Sequence, residues 1–452
     1  MPIAEAPGRL PAVGHGLQMT RKPLDFLTRL PPLGPVVLIR LGALPVYVIN
    51  DGALARQVLT GSYDQGVLVE KARPLLGGGV GMLNGEAHRT HRRIMQPSLS
   101  RQRIARYAAA MTRLADERTR RWSDGQRLEL GQEMNELALV TVATTLFSAD
   151  LTAAVAEVQR SLPVVLGQLP RRAVVPAPLL RLPSPANRRF DRAAAALHRV
   201  TREAVTASRA DGTGTGDLVS TLLLTRDQET GAGLTGEQVH DQLVNMMVAG
   251  TETTGASLAW VFHELARHPA IEQRLHAELD QVLDGRAAAF EDLPALPYTG
   301  KVVLETLRLY PPYLILRHAP NPVTLGPAEL PAGAAILISP YVLHRDPDVF
   351  PDPERFDPGR EVPRTAAIPF GAGGRQCPGN HFAIIEMALH TATIAARWRF
   401  RPDRRVPVRP VARGAAVHPS ALPVTAEWRT HAGVRESAGG AVSRGQHNRR
   451  SM

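Results

Sequence analysis

Phe370-Gly-Ala-Gly-Gly-Arg-Gln-Cys377-Pro-Gly379 is the most informative stretch of this chain. Gly371, Gly373, Gly374 and Gly379 admit backbone conformations and close approaches that side chains would block. Cys377 is the one cysteine in 452 residues. That excludes an intramolecular disulfide framework and any multi-cysteine zinc or iron–sulfur centre within a chain. A helical pattern follows it directly, with Pro378 read as a favoured first helical residue. The positive end of such a helix and its free N–H groups stabilise a thiolate. Arg375, two residues earlier, points a cation at something anionic nearby. A thiolate in a tight glycine turn can ligate iron. The plain alternative for any lone cysteine is a buried, inert thiol; with Phe370, Gly373, Arg375 and Gly379 around it, that alternative loses.

Outward from the loop, residues 347–376 are rich in Pro, Asp, Gly and Arg and read as loop, and a final helix runs from Cys377 to about Arg397. Upstream, a long helix is expected from Gly236 to His268, ending before Pro269, with further helices over 270–284 and 298–310 and short strands within 314–338. Glu86 to Leu223 reads as mostly helical, broken by a proline-rich insert at 162–186. Its Leu162, Val164, Val165, Leu166, Val174, Val175, Leu179 and Leu180 suit either a movable lid or a packed loop. Residues 70–83 read as an apolar, glycine-rich loop, and Asp211–Gly216 as a flexible connector. Val36–Leu41 and Val46–Ile49 form a hairpin-like pair after a Pro-rich first 35 residues, expected to be extended and irregular. Residues 431–452 are Gly/Ser/Arg-rich and expected to be disordered. The sum is mainly α with a small β portion, one domain over 1–430 and a tail.

Composition narrows the function. Hydrophobic residues make up 44% and charged residues 21%, enough for a real core. The net charge of +11 comes from 53 basic residues, of which only Lys22, Lys71 and Lys301 are lysine. Arginine is spread along the chain rather than gathered in a patch or tail, and no zinc-finger, RNP or basic-zipper pattern appears, so nucleic-acid binding is not expected. No segment reaches the roughly 18 apolar residues of a membrane span. Residues 1–10 lack the pattern of a signal peptide, which points to a cytoplasmic protein.

FGAGGRQCPG resembles the heme-binding signature of the cytochrome P450 family, Phe-x-x-Gly-x-Arg-x-Cys-x-Gly, at every fixed position. The resemblance implies that Cys377 is the axial ligand of heme b, that Arg375 pairs with a heme propionate, and that Phe370 packs near the sulfur, with Gly371 and Gly379 shaping the loop. Glu305-Thr-Leu-Arg308 is similar to the family's Glu-x-x-Arg motif, and Pro353-Glu354-Arg355-Phe356 to its partner element. A Glu305–Arg308–Arg355 network that locks the cysteine loop is implied. Ala249-Gly250-Thr251-Glu252-Thr253-Thr254 is similar to the oxygen-activation stretch. Ala249 and Thr253 share a helical face. By the resemblance Thr253 hydrogen-bonds activated oxygen, and Glu252 relays protons from solvent. A glycine inside a helix costs about 1 kcal/mol; at Gly250 a distortion that admits dioxygen would explain it. Gly85-Glu-Ala-His88-Arg89-Thr-His-Arg92 resembles the helix at the heme edge, so His88 and Arg92 can reach a propionate, as can Arg317. For each of these cations the bland alternative is a solvated side chain.

The resemblance covers about Pro7 to Trp428. It implies a triangular helical domain with heme between the oxygen-activation helix and the cysteine-loop helix. It also implies a monooxygenase that puts one atom of dioxygen into substrate and releases the other as water. Electrons from NAD(P)H would arrive through a separate ferredoxin and its reductase, docking on Arg89, Arg92, Arg93, Arg101 and Arg103, and the chain is expected to be a monomer. By family analogy the pocket takes Leu75, Leu76, Val80, Met82, Val248, Leu314, Ile315, Val417 and Leu422. Charge is scarce among them, so the substrate is small and hydrophobic. The chain looks like bacterial members of terpene biosynthesis, with a cyclic sesquiterpene such as pentalenene as the first expectation. A fatty acid, steroid or macrolide is the alternative, as is a peroxide-driven reaction, which would tend to lose the Glu252–Thr253 pair.

Overall fold

A reciprocal cap opens the longest helix, Gly236–Arg267. Thr235 Oγ1 accepts the Gln238 N–H at 3.2 Å, and Gln238 Oε1 accepts the Thr235 N–H at 2.8 Å. Residues 254–265 are buried all round, as only a helix at the centre of a protein can be. The computed structural model describes residues 3–70, 72–146, 152–175, 177–211, 218–361, 363 and 365–429.

Glycines set how closely this helix packs on its neighbour, Leu130–Leu146. A Cβ at Gly250 would lie 3.0 Å from Val142, and one at Gly255 only 2.4 Å from Asn135 Oδ1. The helix runs unbroken through Gly250. Close packing against Val142 gives that glycine a role of its own.

Helices Arg101–Thr119, Pro269–Leu283, Pro297–Leu309 and Asn380–Arg397 pack around the C-terminal half of the long helix in the largest core cluster. Helices Leu130–Leu146, Thr152–Val174 and Pro185–Asp211 share a second cluster with its N-terminal half. The β portion is small. Its main sheet runs Ala4–Glu5, Val36–Leu41, Leu44–Ile49, Ala335–Ile338, Ile315–His318 in spatial order. The expected hairpin is there, antiparallel, with Val36 opposite Ile49. The third cluster lies on this sheet, where Val36, Ile49, Ile336 and Ile338 meet Leu59 and Ile368. A hairpin, Pro410–Arg413 with Ala416–Pro419, is tied to the long helix by Trp260 Nε1, which donates to Val417 O at 2.8 Å.

Three expectations are corrected. The first 35 residues are not simply irregular: Gly16–Arg21 and Pro23–Leu27 are helical, with Pro23 at the start of its helix, where a missing N–H costs nothing. The insert at 162–186 is not a loop over its first half. The helix Thr152–Val174 runs through Pro163 and Pro170, with Leu162 and Val165 buried in the second cluster; that packing outweighs the prolines. Within 70–83, Arg73–Leu76 is helical and Val80–Met82 forms a 3-10 turn. Residues 212–216 of the expected connector and the 431–452 tail lie outside the described residues.

Candidate active site

The cysteine loop is built as its glycines require at two positions. Gly371 and Gly373 both take φ of +70°. A Cβ at Gly373 would lie 2.3 Å from Leu59 O, so the loop is pressed against the end of the Gly52–Thr60 helix. The Cys377 N–H donates to Phe370 O at 2.9 Å and closes the turn, while the Phe370 ring packs partly buried against the main core. The following helix begins at Asn380, with Gly379 as its cap, so Pro378 is not its first residue. One N–H of this turn, that of Gly379, reaches the sulfur.

Cys377 is exposed to solvent, yet burial is the strongest influence on its thiol and pushes the pKa up; the Gly379 N–H and the Arg92 charge pull it down. A thiol of this kind lines a hollow inside the protein. Ala249 is exposed to that extent too, although it sits within the most buried helix.

Cations gather beside the thiol. Arg92 donates to Gln376 O at 2.6 Å and so ties the Gly85–Met95 helix to the cysteine loop. Arg375 donates to Tyr63 O (3.0 Å), Leu83 O (3.0 Å) and Asn84 Oδ1 (2.7 Å), and lies 3.5 Å from Asp64. Arg317 is only 6% exposed, and the one hydrogen bond of its guanidinium among the described residues is to Leu316 O at 2.8 Å. Burial, then Arg375, pushes its pKa down to about 10. His88 is buried and is held at about 4, by burial first and then by Arg375, Arg92 and Arg317. A buried guanidinium without a carboxylate partner, beside two more guanidiniums and a neutral imidazole, calls for an anionic group. A thiol, a hollow and a cationic rim together fit a heme with its propionates.

On the long helix, Thr253 Oγ1 donates to Ala249 O at 2.7 Å, so the two do share a face. Glu252 meets a residue the sequence did not single out: His418 Nε2 lies 3.2 Å from Glu252 Oε1. The hairpin turn presses on the same carboxylate, since a Cβ at Gly414 would lie 2.3 Å from Glu252 Oε2. Tyr313 is close enough to feel it; burial, then Glu252, pushes its hydroxyl up to about 12. His418 and Asn84, which orients Arg375, carry no motif of their own. Asn84 immediately before a helical pattern is a weak signal of its capping position.

The Glu305–Arg308 pair is buried and bidentate, at 2.8 Å on both oxygens. Its third member is not the Arg355 side chain, which is exposed; Arg355 contributes only its carbonyl, at 3.2 Å from Arg308. Arg360 approaches Glu305 instead, at 3.4 Å.

The expected docking arginines are also partly used internally. Arg93 is held by Asp227 at 2.7 Å and Arg92 turns inward, whereas Arg89 pairs with Glu86 at 2.5 Å on the exposed surface. The expected pocket residues divide among the clusters. Leu75, Leu76, Val80 and Val248 lie together in the second; Leu314, Val417 and Leu422 lie in the first. Ile315 packs in the third, beside Gly371, and Met82 is buried. Alternation along the strand turns Ile315 away from Leu314.

The arrangement is that of a heme-thiolate site, and relatives bear on it directly. The family model described as Cytochrome P450 matches residues 5–425. The chain is 43% identical to Cyclooctat-9-en-7-ol 5-monooxygenase of Streptomyces melanosporofaciens, over 88% of this chain and 89% of that protein. It is 43% identical to cyclooctatin synthase of the same organism, over 90% and 91%. It is 39% identical to pentalenene oxygenase of Streptomyces avermitilis, over 94% and 97%. The chain belongs to the cytochrome P450 family, and it is a heme-dependent monooxygenase that uses dioxygen. No helix among the described residues is long and apolar enough to cross a membrane.

Proposed function

We propose that this chain, as one heme domain over residues 1–430, oxidises a small cyclic terpene. The observation that carries this reading is the close likeness, along nearly the whole chain, to relatives whose names specify cyclooctat-9-en-7-ol and pentalenene. The apolar cluster of Leu75, Leu76, Val80 and Val248 supports it, since such a surface recognises a substrate by shape rather than by charge.

When bound, the heme supplies the dioxygen chemistry, and a thiolate ligand favours O–O cleavage. Cys377 is that ligand. Arg92, Arg317 and Arg375 would hold the propionates, and His88 would donate a further hydrogen bond there. Thr253 offers its hydroxyl to the oxygen side of the hollow. Glu252, fixed by His418 and the Gly414 turn, passes protons inward from solvent. Electrons come from NAD(P)H through a ferredoxin and its reductase. Arg89, Arg101 and Arg103 carry the docking face, Arg89 as an exposed surface pair with Glu86. The protein acts as a cytoplasmic monomer.

Titration of the heme-loaded protein with cyclic terpenes, fatty acids, steroids and macrolides tests this. A saturable low- to high-spin shift is expected with cyclic terpene hydrocarbons or alcohols, followed by a hydroxylated product when donors are added. A shift with fatty acid, steroid or macrolide and none with terpenes overturns the substrate. In the same assay Glu252→Gln lowers product per electron; an unchanged ratio removes Glu252 from the proton path.

A further inference from the structure

Apart from the heme site, helices Pro185–Asp211 and Gly236–Arg267 bring two imidazoles and two carboxylates together. His198 Nδ1 lies 2.9 Å from His240 Nε2. Glu237, His240 and Asp241, at i, i+3 and i+4 on one helix face, hold their donor atoms within 4.8 Å of one another. His240 is 1% exposed. No step of the monooxygenase reaction uses any of the four.

Thr201 supports His240 at the ring nitrogen away from His198. Thr201 Oγ1 has one proton, directed to the carbonyl of Leu197 (3.0 Å) or His198 (3.1 Å). With that proton on a carbonyl, its 2.6 Å contact with His240 Nδ1 is one in which the ring N–H donates. That leaves the Nε2 lone pair of His240 aimed at His198. A supporting oxygen on the far ring nitrogen is how proteins orient a metal-ligating histidine. Asp241 is oriented as well: its Oδ2 accepts the Gly78 N–H at 2.6 Å, and its Oδ1 stands 4.0 Å from His240 Nε2. Glu237 is 64% exposed and pairs with Arg202 at 3.2 Å, which leaves this side open to solvent. His198 and Arg202 also line a surface groove of about 770 Å³.

We propose that His198, His240 and Asp241, with Glu237 in the fourth position, form a binding site for a divalent cation of the zinc type. The donor set is the nitrogen-and-carboxylate set zinc takes in tetrahedral sites. Two nitrogens on such an ion lie about 3.3 Å apart, given bonds of about 2.0 Å. The imidazoles thus need to part only slightly, whereas His198 lies outside the 4.8 Å group of the other three and must draw together with the carboxylates. On binding, the His198 proton moves from Nδ1 to Nε2, Glu237 releases Arg202, and no net proton is lost. Because Asp241 also holds Gly78, the ion fastens helices 185–211 and 236–267 to the segment that carries Leu75, Leu76 and Val80.

Calorimetric titration of the heme-loaded wild type with zinc chloride in chelator-free buffer tests the site, by metal uptake rather than turnover. One saturable equivalent is expected. His198→Ala weakens it by at least about 100-fold, and Thr201→Val, which removes only the supporting oxygen, by about 10–100-fold. Glu237→Gln, at an exposed position that cannot unfold the chain, weakens it by about 10-fold; an unchanged Soret band and far-ultraviolet circular dichroism show that each variant is folded. No saturable equivalent on the wild type, or the same affinity in His198→Ala and Glu237→Gln, overturns the proposal and assigns the zinc to scattered surface histidines.

Discussion

Arg308 uses its whole guanidinium inside the protein. Besides both Glu305 oxygens it donates to His344 O and Pro353 O, each at 2.9 Å, and to Arg355 O at 3.2 Å, which accounts for all five of its N–H groups. Arg308→Ala therefore leaves Glu305 buried with the Asp357 N–H and only the looser Arg360 as a cation, and a stability loss of about 3–5 kcal/mol is expected from the denaturation midpoint of the heme-loaded protein. Arg355→Ala keeps the one atom that matters, the carbonyl, and should fall within about 0.5 kcal/mol of wild type. Equal losses for the two would put Arg355 back in the network. The Glu305–Arg308 spacing was readable because three residues apart on a helix is a face; Arg355 and Arg360 share one loop, where no period says which side chain turns inward. Glu252 and His418 are 166 residues apart, and only the hairpin's packing joins them. Cys377, Arg375 and the glycines that shape their turn lie within ten residues, so local spacing was enough.

Elements were legible wherever period and punctuation agreed. The long helix has a capping box at Thr235 and a proline after His268, and it stands within one residue of its expected end. Prolines misled where tertiary burial outweighed them, at Pro163 between buried Leu162 and Val165. Glycines in the long helix serve close packing against Leu130–Leu146. Substitution separates these uses of glycine. Gly255→Ala drives a methyl to 2.7 Å from Asn135 Cα as well as onto its side chain, an overpacking expected to cost about 1–3 kcal/mol. Gly300, inside the helix Pro297–Leu309, has nothing within 4 Å of an added Cβ, so Gly300→Ala should stabilise by about 0.4–1 kcal/mol through the unfolded chain. Thermal unfolding of the two variants reads both signs; stabilisation by Gly255→Ala would mean that the helices do not approach as closely as described.

Across the whole molecule, burial of neutral histidines couples the fold to pH. His344 joins two parts of the site's support: its Nε2 accepts the Ile368 N–H at 2.8 Å, so its Nδ1–H donates to Arg308 O at 3.0 Å. A second ring proton would face the Ile368 N–H, and burial already holds this histidine at about 3. His390, also fully buried, is held at about 3 for the same reason. Both folded values lie below the unfolded value of about 6.5. As pH falls the unfolded chain takes up these protons first. The stability from both groups is complete above about pH 6.5 and is lost as pH drops toward 3, by up to about 1.4 kcal/mol per pH unit for each histidine. Glu386 acts in the opposite sense. Buried with neither oxygen hydrogen-bonded among the described residues, it is raised well above the usual carboxylate range, so it adds stability as pH falls toward its unfolded value. With His263 also held at about 4 and His276 at about 3, histidines outnumber this one carboxyl, and the net expectation is a denaturation midpoint lower at pH 5 than at pH 7. His344→Gln keeps an acceptor and a donor at that position and has no proton to gain. Its midpoint should start lower at pH 7 and fall less steeply than wild type between pH 7 and 5; parallel slopes would mean that His344 is not the neutral link between Arg308 and the cysteine loop.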